Sequence, residues 1–289
     1  MSNQPSSPGY GLEDLLYLMR RLRDPLHGCP WDVKQNYRSI APSTLEEAYE
    51  VVDAIEREDY QHLKDELGDL LFQVIFYAQL AQEEGRFDFY NIVSGLTEKL
   101  VRRHPHVFPD GNLREYINAT TIDQDQIKRQ WEAIKLEERK AKGEQSLLAD
   151  VPSGLPALSR AQKLQKRAAT VSFDFAHVGA ALQKLREELA ELELAISQHA
   201  SGEIEEEMGD VFFSLVNVSR HLNLDGEKSL RRANEKFIAR FTCIEKHLLE
   251  QGLHWQDQSA EQLDKLWELA KNSTKPTSLT NNIAQADRE

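Results

Sequence analysis

Apolar residues along this chain recur at steps of three and four. Between Leu63 and Ala78 they fall at Leu63, Leu67, Leu70, Leu71, Val74, Tyr77 and Ala78, the spacing that lines one face of an α-helix. Similar stripes run over Leu182–Ile196, Met208–Leu222 and Leu230–Leu248. Alternating β-branched runs between turn signals, the mark of half-buried strands, do not occur. The pattern predicts an all-α fold.

Breaks in that pattern fall at Gly28-Cys-Pro30, Ala41-Pro42-Ser43, Glu84-Gly85, His104–Gly111 and Val151–Pro156. The last of these follows the charged run Glu137–Glu144 and reads as a linker. Two domains are expected, over residues 10–145 and 155–272, with flexible tails at 1–9 and 273–289.

The two halves repeat. At an offset of 141, Glu46, Glu47, Glu50, Glu66, Gly68 and Asp69 fall on Glu187, Glu188, Glu191, Glu207, Gly209 and Asp210. Ala54-Ile55 falls on Ala195-Ile196, and Phe72 on Phe213. With 48 acidic residues among 289, four carboxylates recur at one offset by chance roughly once in a thousand trials. Lys99/Arg103 echo Lys236/Arg240, and Trp131/Lys135 echo Trp267/Lys271, at slightly shorter offsets and in the same order. The chain is a duplication.

Charge and cysteine content narrow the chemistry. The formal charge of −13 argues against general nucleic-acid binding, which needs a basic face. An acidic protein that handles phosphates requires another way to offset their charge, and a divalent cation is the usual one. Two cysteines in unrelated contexts, Cys29 and Cys243, form neither a disulfide framework nor a metal knuckle. With no apolar signal core and no run of about 18 apolar residues, the expected location is the cytoplasm, away from membranes.

The repeated carboxylates carry the chemistry. Glu47 and Glu50 are three residues apart, as are Glu66 and Asp69, so each pair shares one helical face. The two segments lie on consecutive helices joined near Arg57–Tyr60, which favours an antiparallel hairpin with four carboxylates facing across it. Clustered negative charges repel or take up protons unless a cation intervenes. Oxygen donors suit magnesium, or manganese. Glu188, Glu191, Glu207 and Asp210 repeat the set. A solvated acidic face or a capping box beginning at Ser43/Thr44 is the competing reading. It accounts neither for the apolar neighbours Leu45, Ala48, Val51, Leu67 and Leu70 nor for the partner set downstream.

Lys236 and Arg240, like Lys99 and Arg103, stand one helical turn apart. They suit either surface ion pairs or a grip on phosphate oxygens. Trp131 and Trp267 suit either the core or a stack on a base, with Lys135 or Lys271 reaching a phosphate. Glycine-rich phosphate loops and nucleophilic triads have no counterpart here.

The Glu-Glu-x-x-Glu and Glu-x-x-Asp pattern resembles the MazG family. Gly28-Cys-Pro-Trp-Asp32 upstream, Lys99–Phe108 downstream, Glu205–Asp210 and Arg232–Lys236 extend the likeness from about Gly11 to Lys271. The resemblance implies helical bundles completed by a second chain, hence a homodimer. It implies hydrolysis of ribo- and deoxyribonucleoside triphosphates to the monophosphate and pyrophosphate, with broad base tolerance. It assigns metal binding to Glu188, Glu191, Glu207 and Asp210, phosphate contact to Lys236 and Arg240, and the nucleoside's surroundings to Trp267 and Lys271. The attacking water's proton is expected to pass to Glu187 or Glu188. Activity is expected in the second repeat, with Glu47, Glu50, Glu66, Asp69, Lys99 and Arg103 as a possible second site. The contrast visible in the sequence is Lys64-Asp65 before Glu66 against Glu205-Glu206 before Glu207.

Two rival functions fit a helical bundle lined with carboxylates. A di-iron oxidase bundle wants Glu-x-x-His pairs, and the fourth positions here are Glu50, Asp69, Glu191 and Asp210. A non-catalytic helical scaffold or regulator derived from the same fold is the alternative.

Overall fold

A computed structural model describes residues 9–114, 123–141, 146–199 and 201–273. The expected tails lie outside the described residues except for Gly9 and Ser273. Every regular element among the described residues is helical. None of these helices is long and apolar enough to cross a membrane. The chain divides into two compact units, Met1–Arg139 and Lys140–Glu289.

The first unit contains α1 (Leu12–Leu22), α2 (Pro30–Lys34), α3 (Tyr37–Glu56), α4 (Tyr60–Glu83), α5 (Phe89–Arg103) and most of α6 (Gln124–Ala141). The antiparallel hairpin of α3 and α4 is its backbone, and α1 packs against α4. Leu16, Met19, Ile40, Ile75, Phe76 and Leu80 form the core. Gly28 is required where it stands. A Cβ there would lie 2.4 Å from the Leu22 carbonyl oxygen and 2.5 Å from that of Asp24. The tight turn lets Cys29 N–H bond to the Leu22 carbonyl and presents Pro30 as the first residue of α2.

The break expected at Ala41-Pro42-Ser43 does not form. α3 begins earlier, at Tyr37, where the Asn36 side chain accepts from the Arg38 and Ser39 N–H groups. Pro42 therefore lies near the start of the helix, and its missing N–H forgoes one bond of a long ladder. The turn between the hairpin's helices runs through Glu58 in the left-handed region, and Asp59 caps α4.

The second unit holds α7 (Ala157–Ala169), α8 (Val178–Gln198), α9 (Ser201–His221), α10 (Gly226–Gln251) and α11 (Ala260–Ser273). α8 and α9 repeat the hairpin; α7 lies against α9, and α10 pairs with α11. Val151, in the stretch expected to link the domains, is buried. Its neighbour Asp150 accepts a 2.7 Å bond from Arg167 on α7.

Both hairpins leave apolar surface open. On α4, Leu67 is 49% exposed, Leu71 39% and Val74 37%; on α9, Phe212 is 52% and Leu215 47% exposed. The stripe read from the sequence is real, but the core is built mainly from its neighbours Gln73, Ile75, Phe76, Leu80 and Ala81.

Candidate metal centres and an adjoining cleft

Helical spacing places Glu66 and Asp69 on one face of α4, and the hairpin sets Glu47 of α3 opposite them. One oxygen from each lies within 4.8 Å of the other two. Glu188 of α8 meets Glu207 and Asp210 of α9 in the same way. Two oxygens on opposite sides of a magnesium ion lie about 4.2 Å apart, so small side-chain adjustments bring each trio onto one cation. The all-oxygen donor set suits a hard ion.

The fourth members stand at the edge. Glu50 is exposed but hydrogen-bonded to Glu66, and Glu191 is exposed near Glu207. Burial, followed by the charges of Asp69, Glu50 and Glu66, pushes the Glu47 carboxyl up from its ordinary range. Burial and then Glu191, Asp210 and Glu188 do the same for Glu207. These shifts express loss of solvent first and repulsion between like charges second.

Each cluster meets a different nitrogen. In the first, His62 Nε2 lies 2.9 Å from Glu66 Oε1; its counterpart at the same offset is Glu203. In the second, Lys184 Nζ lies 2.7 Å from Glu188 Oε1, where the first repeat has Ser43. The Lys184 ammonium is pushed up chiefly by its hydrogen bond to Glu188. Lys64 and Glu205, the contrast noticed in the sequence, are both exposed. Lys184 escaped notice because its neighbour in the first repeat carries no charge.

The basic and aromatic echoes gather on the later helices. Lys236 is exposed on α10. The Arg240 guanidinium lies over Trp267 of α11, 5.6 Å from the ring centroid. Trp267 also packs on Phe237 and on the small core of Ile244, Leu248 and Ala270. Lys271 pairs with Glu268, and Glu187 is exposed beside Glu188 with Gln183 bonded to it. In the first repeat, Arg102 and Arg103 both bind Glu138 of α6. Arg103, then Arg102, hold the Glu138 carboxyl down to about 2. Trp131 meets the edge of His104 at 4.9 Å, with Lys135 5.5 Å above the indole. Lys99 is half-buried on α5.

A cleft of about 580 Å³ opens beside the second cluster, with Lys184, Glu188 and Asp210 in its wall. Leu148, Leu164, Phe173, Phe175 and Phe213 make it mostly apolar; Gln165, Asn217 and Arg220 add polar groups. Asp174 organises one side. It accepts from Arg220 Nη1 at 2.8 Å and from Phe175 N–H at 2.8 Å, and lies 3.1 Å from His221 Nε2. Arg220 is the main cause of its lowered carboxyl pKa. The only sequence signal for this wall is Phe-Asp-Phe in a loop between helices. At the same offset the first repeat has Phe76 where the second has Asn217. Phe76 is fully buried, with the Arg23 guanidinium 5.2 Å from its ring centroid.

The model of the MazG nucleotide pyrophosphohydrolase domain matches residues 35–108 and 178–243, one segment in each unit. A nucleoside triphosphate pyrophosphohydrolase of Escherichia coli (strain K12) is 47% identical over 262 residues, covering 90% of this chain and 97% of that protein. The nucleoside triphosphate pyrophosphohydrolase/pyrophosphatase MazG of Thermotoga maritima is 41% identical over 263 residues, covering 91% and 96%. The uncharacterized protein YabN of Bacillus subtilis is 41% identical over 257 residues, 89% of this chain but 50% of that protein. With two hairpins of the matching pattern and relatives similar along nearly its whole length, this chain belongs to the MazG family.

Proposed function

We propose that the second unit hydrolyses ribo- and deoxyribonucleoside triphosphates to monophosphate and pyrophosphate, with magnesium or manganese and with little regard to the base. The chain is a hydrolase acting on phosphorus anhydrides, as its family membership and its relatives' names indicate. One observation carries the finer reading. Two members of a carboxylate trio, Glu188 and Asp210, line a cleft large enough for a nucleoside.

Glu188, Glu207 and Asp210 would hold the metal, with Glu191 completing the set. When bound there, the ion offsets a triphosphate's charge of about −4 and acidifies a coordinated water. The protein's own groups supply the rest. Lys184 leaves Glu188 for a phosphate oxygen as substrate enters, exchanging one anion for another. Lys236 and Arg240 grip the polyphosphate, the arginine able to do so bidentately. Trp267 lies beneath Arg240 and steadies the guanidinium near the phosphates. Lys271, one turn further along α11, would leave Glu268 to contact the nucleoside. Glu187, exposed next to Glu188, accepts the proton from the attacking water. The apolar cleft wall takes the nucleoside and excludes solvent from it.

The test is pyrophosphate release from a panel of triphosphates. Asp210→Asn and Glu188→Gln are expected to lower kcat/KM by about a thousandfold or more. Activity within threefold of the parent in both variants would refute the assignment.

For the first unit, an auxiliary metal-holding role is the better reading. Phe76 fills the position that Asn217 leaves open, and Glu138 occupies Arg102 and Arg103. We further propose a homodimer that covers the apolar faces of α4 and α9, since surface of this kind on one helix pair marks an interface. Light scattering should give twice the 33.1 kDa chain mass; a monomer at micromolar concentration would rule the dimer out.

A further inference from the structure

Asn217 stands seven residues beyond Asp210 on α9, two turns along the helix that carries the metal ligands. It lines the cleft. Its amide is turned in a definite sense. Arg220 Nη2 donates to Asn217 Oδ1 at 2.5 Å, and a guanidinium has no acceptor. The oxygen must face the arginine, so the amide nitrogen faces away from it. Arg220 cannot swing aside, because both Asp174 carboxylate oxygens hold it. Asp174 is fixed in turn by Phe175 N–H and His221. No protein acceptor among the described residues takes the Asn217 Nδ2 hydrogens. The same atom is not among the buried unpaired ones, so it remains reachable from the cleft.

We propose that Asn217 is the residue that holds the nucleobase of the substrate, by donating from Nδ2 to an acceptor on the base edge. This rests on the reading that the second unit is the active one. The aromatic walls Phe173, Phe175 and Phe213 accept any planar ring. All the common nucleobases carry a ring nitrogen or carbonyl oxygen able to accept. An amide donor set beside apolar walls therefore distinguishes the presence of a base from its absence, and discriminates weakly between bases. Arg220 is a positioning residue: it acts through the Asn217 amide. In the first repeat the equivalent Phe76 offers neither space nor donor.

The experiment compares ATP, CTP, GTP and UTP with ribose 5-triphosphate, which has no base. The quantity read is the ratio of kcat/KM for each nucleotide to that for the baseless compound. Asn217→Leu, similar in volume but without the donor, should lower this ratio about tenfold for all four, mainly through KM. Asn217→Asp, which puts an acceptor in place of the donor, should lower it at least as far. An unchanged ratio in both variants overturns the proposal, as does an equal loss on all five substrates. A ratio that collapses for one base alone also overturns it, since the group would then select among bases. Asp210→Asn run in parallel separates failure of the base contact from failure of the metal site. If it retains activity on all five substrates, the metal-site reading fails, whatever Asn217 does.

Discussion

The two units share a hairpin, a carboxylate trio and an order of motifs, yet they differ where the trio meets its surroundings. In the second, the walls part into a cleft, and a lysine stands on the most buried carboxylate. In the first, the matching space is core: Phe76 is fully buried and Arg23 covers its ring. On α5, Arg102 and Arg103 are bound by Glu138. A duplicated carboxylate hairpin is therefore separable from a duplicated cleft. The carboxylate trios are set by helical spacing; the room beside them is set by one or two side chains.

The sharpest way to break this comparison is to remove matching carboxylates. Glu207→Gln should abolish pyrophosphate release, by about a thousandfold or more, while Glu66→Gln changes it less than threefold. Equal losses would make the units equivalent. Next in size is the core substitution. Phe76→Asn, which writes the second repeat's residue into the first, should cost about 3–5 kcal/mol in chemical denaturation by leaving a cavity and an unpaired amide. A cost below about 1 kcal/mol would mean that the space is not packed as described.

A smaller effect is expected from Glu138. Its carboxyl titrates at about 2, against 4.5 ordinarily. A lowered folded-state value means stabilisation that is complete above the unfolded pKa and lost as pH falls from about 5 toward 2. Glu138→Gln should lower stability by about 1–3 kcal/mol at neutral pH and flatten that part of the pH profile. An unaltered acid limb would contradict the pairing. Smallest is the shift on adding magnesium or manganese. At a concentration equal to the dissociation constant a site contributes about 0.4 kcal/mol. Calorimetry should find metal binding in both units, with the first unit's share lost in Glu66→Gln. A metal response wholly insensitive to Glu66→Gln would leave the first trio without a role.

Much of this was legible in the sequence because helices convert spacing into geometry. Glu66 and Asp69, or Glu207 and Asp210, share a face through their separation of three, and the short turn near Arg57–Tyr60 brings Glu47 to them. Reading by repetition has a matching blind spot. It selects what the halves share, so Asn217, Arg220 and Lys184, facing Phe76, Gln79 and Ser43 at the same offset, left no echo. Asp174 lies in a loop, where no period announces which way a side chain turns. Pro42 misled for a local reason: the residue is punctuation in general, but here it falls within the opening turns of a helix already capped at Asn36. Arg103 kept its place in the repeated order, while its binding to Glu138 depends on the packing of α5 and α6, which spacing does not encode.

The Glu138 pairing also has a kinetic meaning. A carboxylate held by the fold against two guanidinium groups acts as a tethered anion, and tethering through even a flexible link supplies roughly millimolar effective concentration. A free polyphosphate approaching α5 must displace this resident competitor before it pairs with either guanidinium. Arg102 and Arg103 are thereby screened from free anions by a partner that the fold itself supplies.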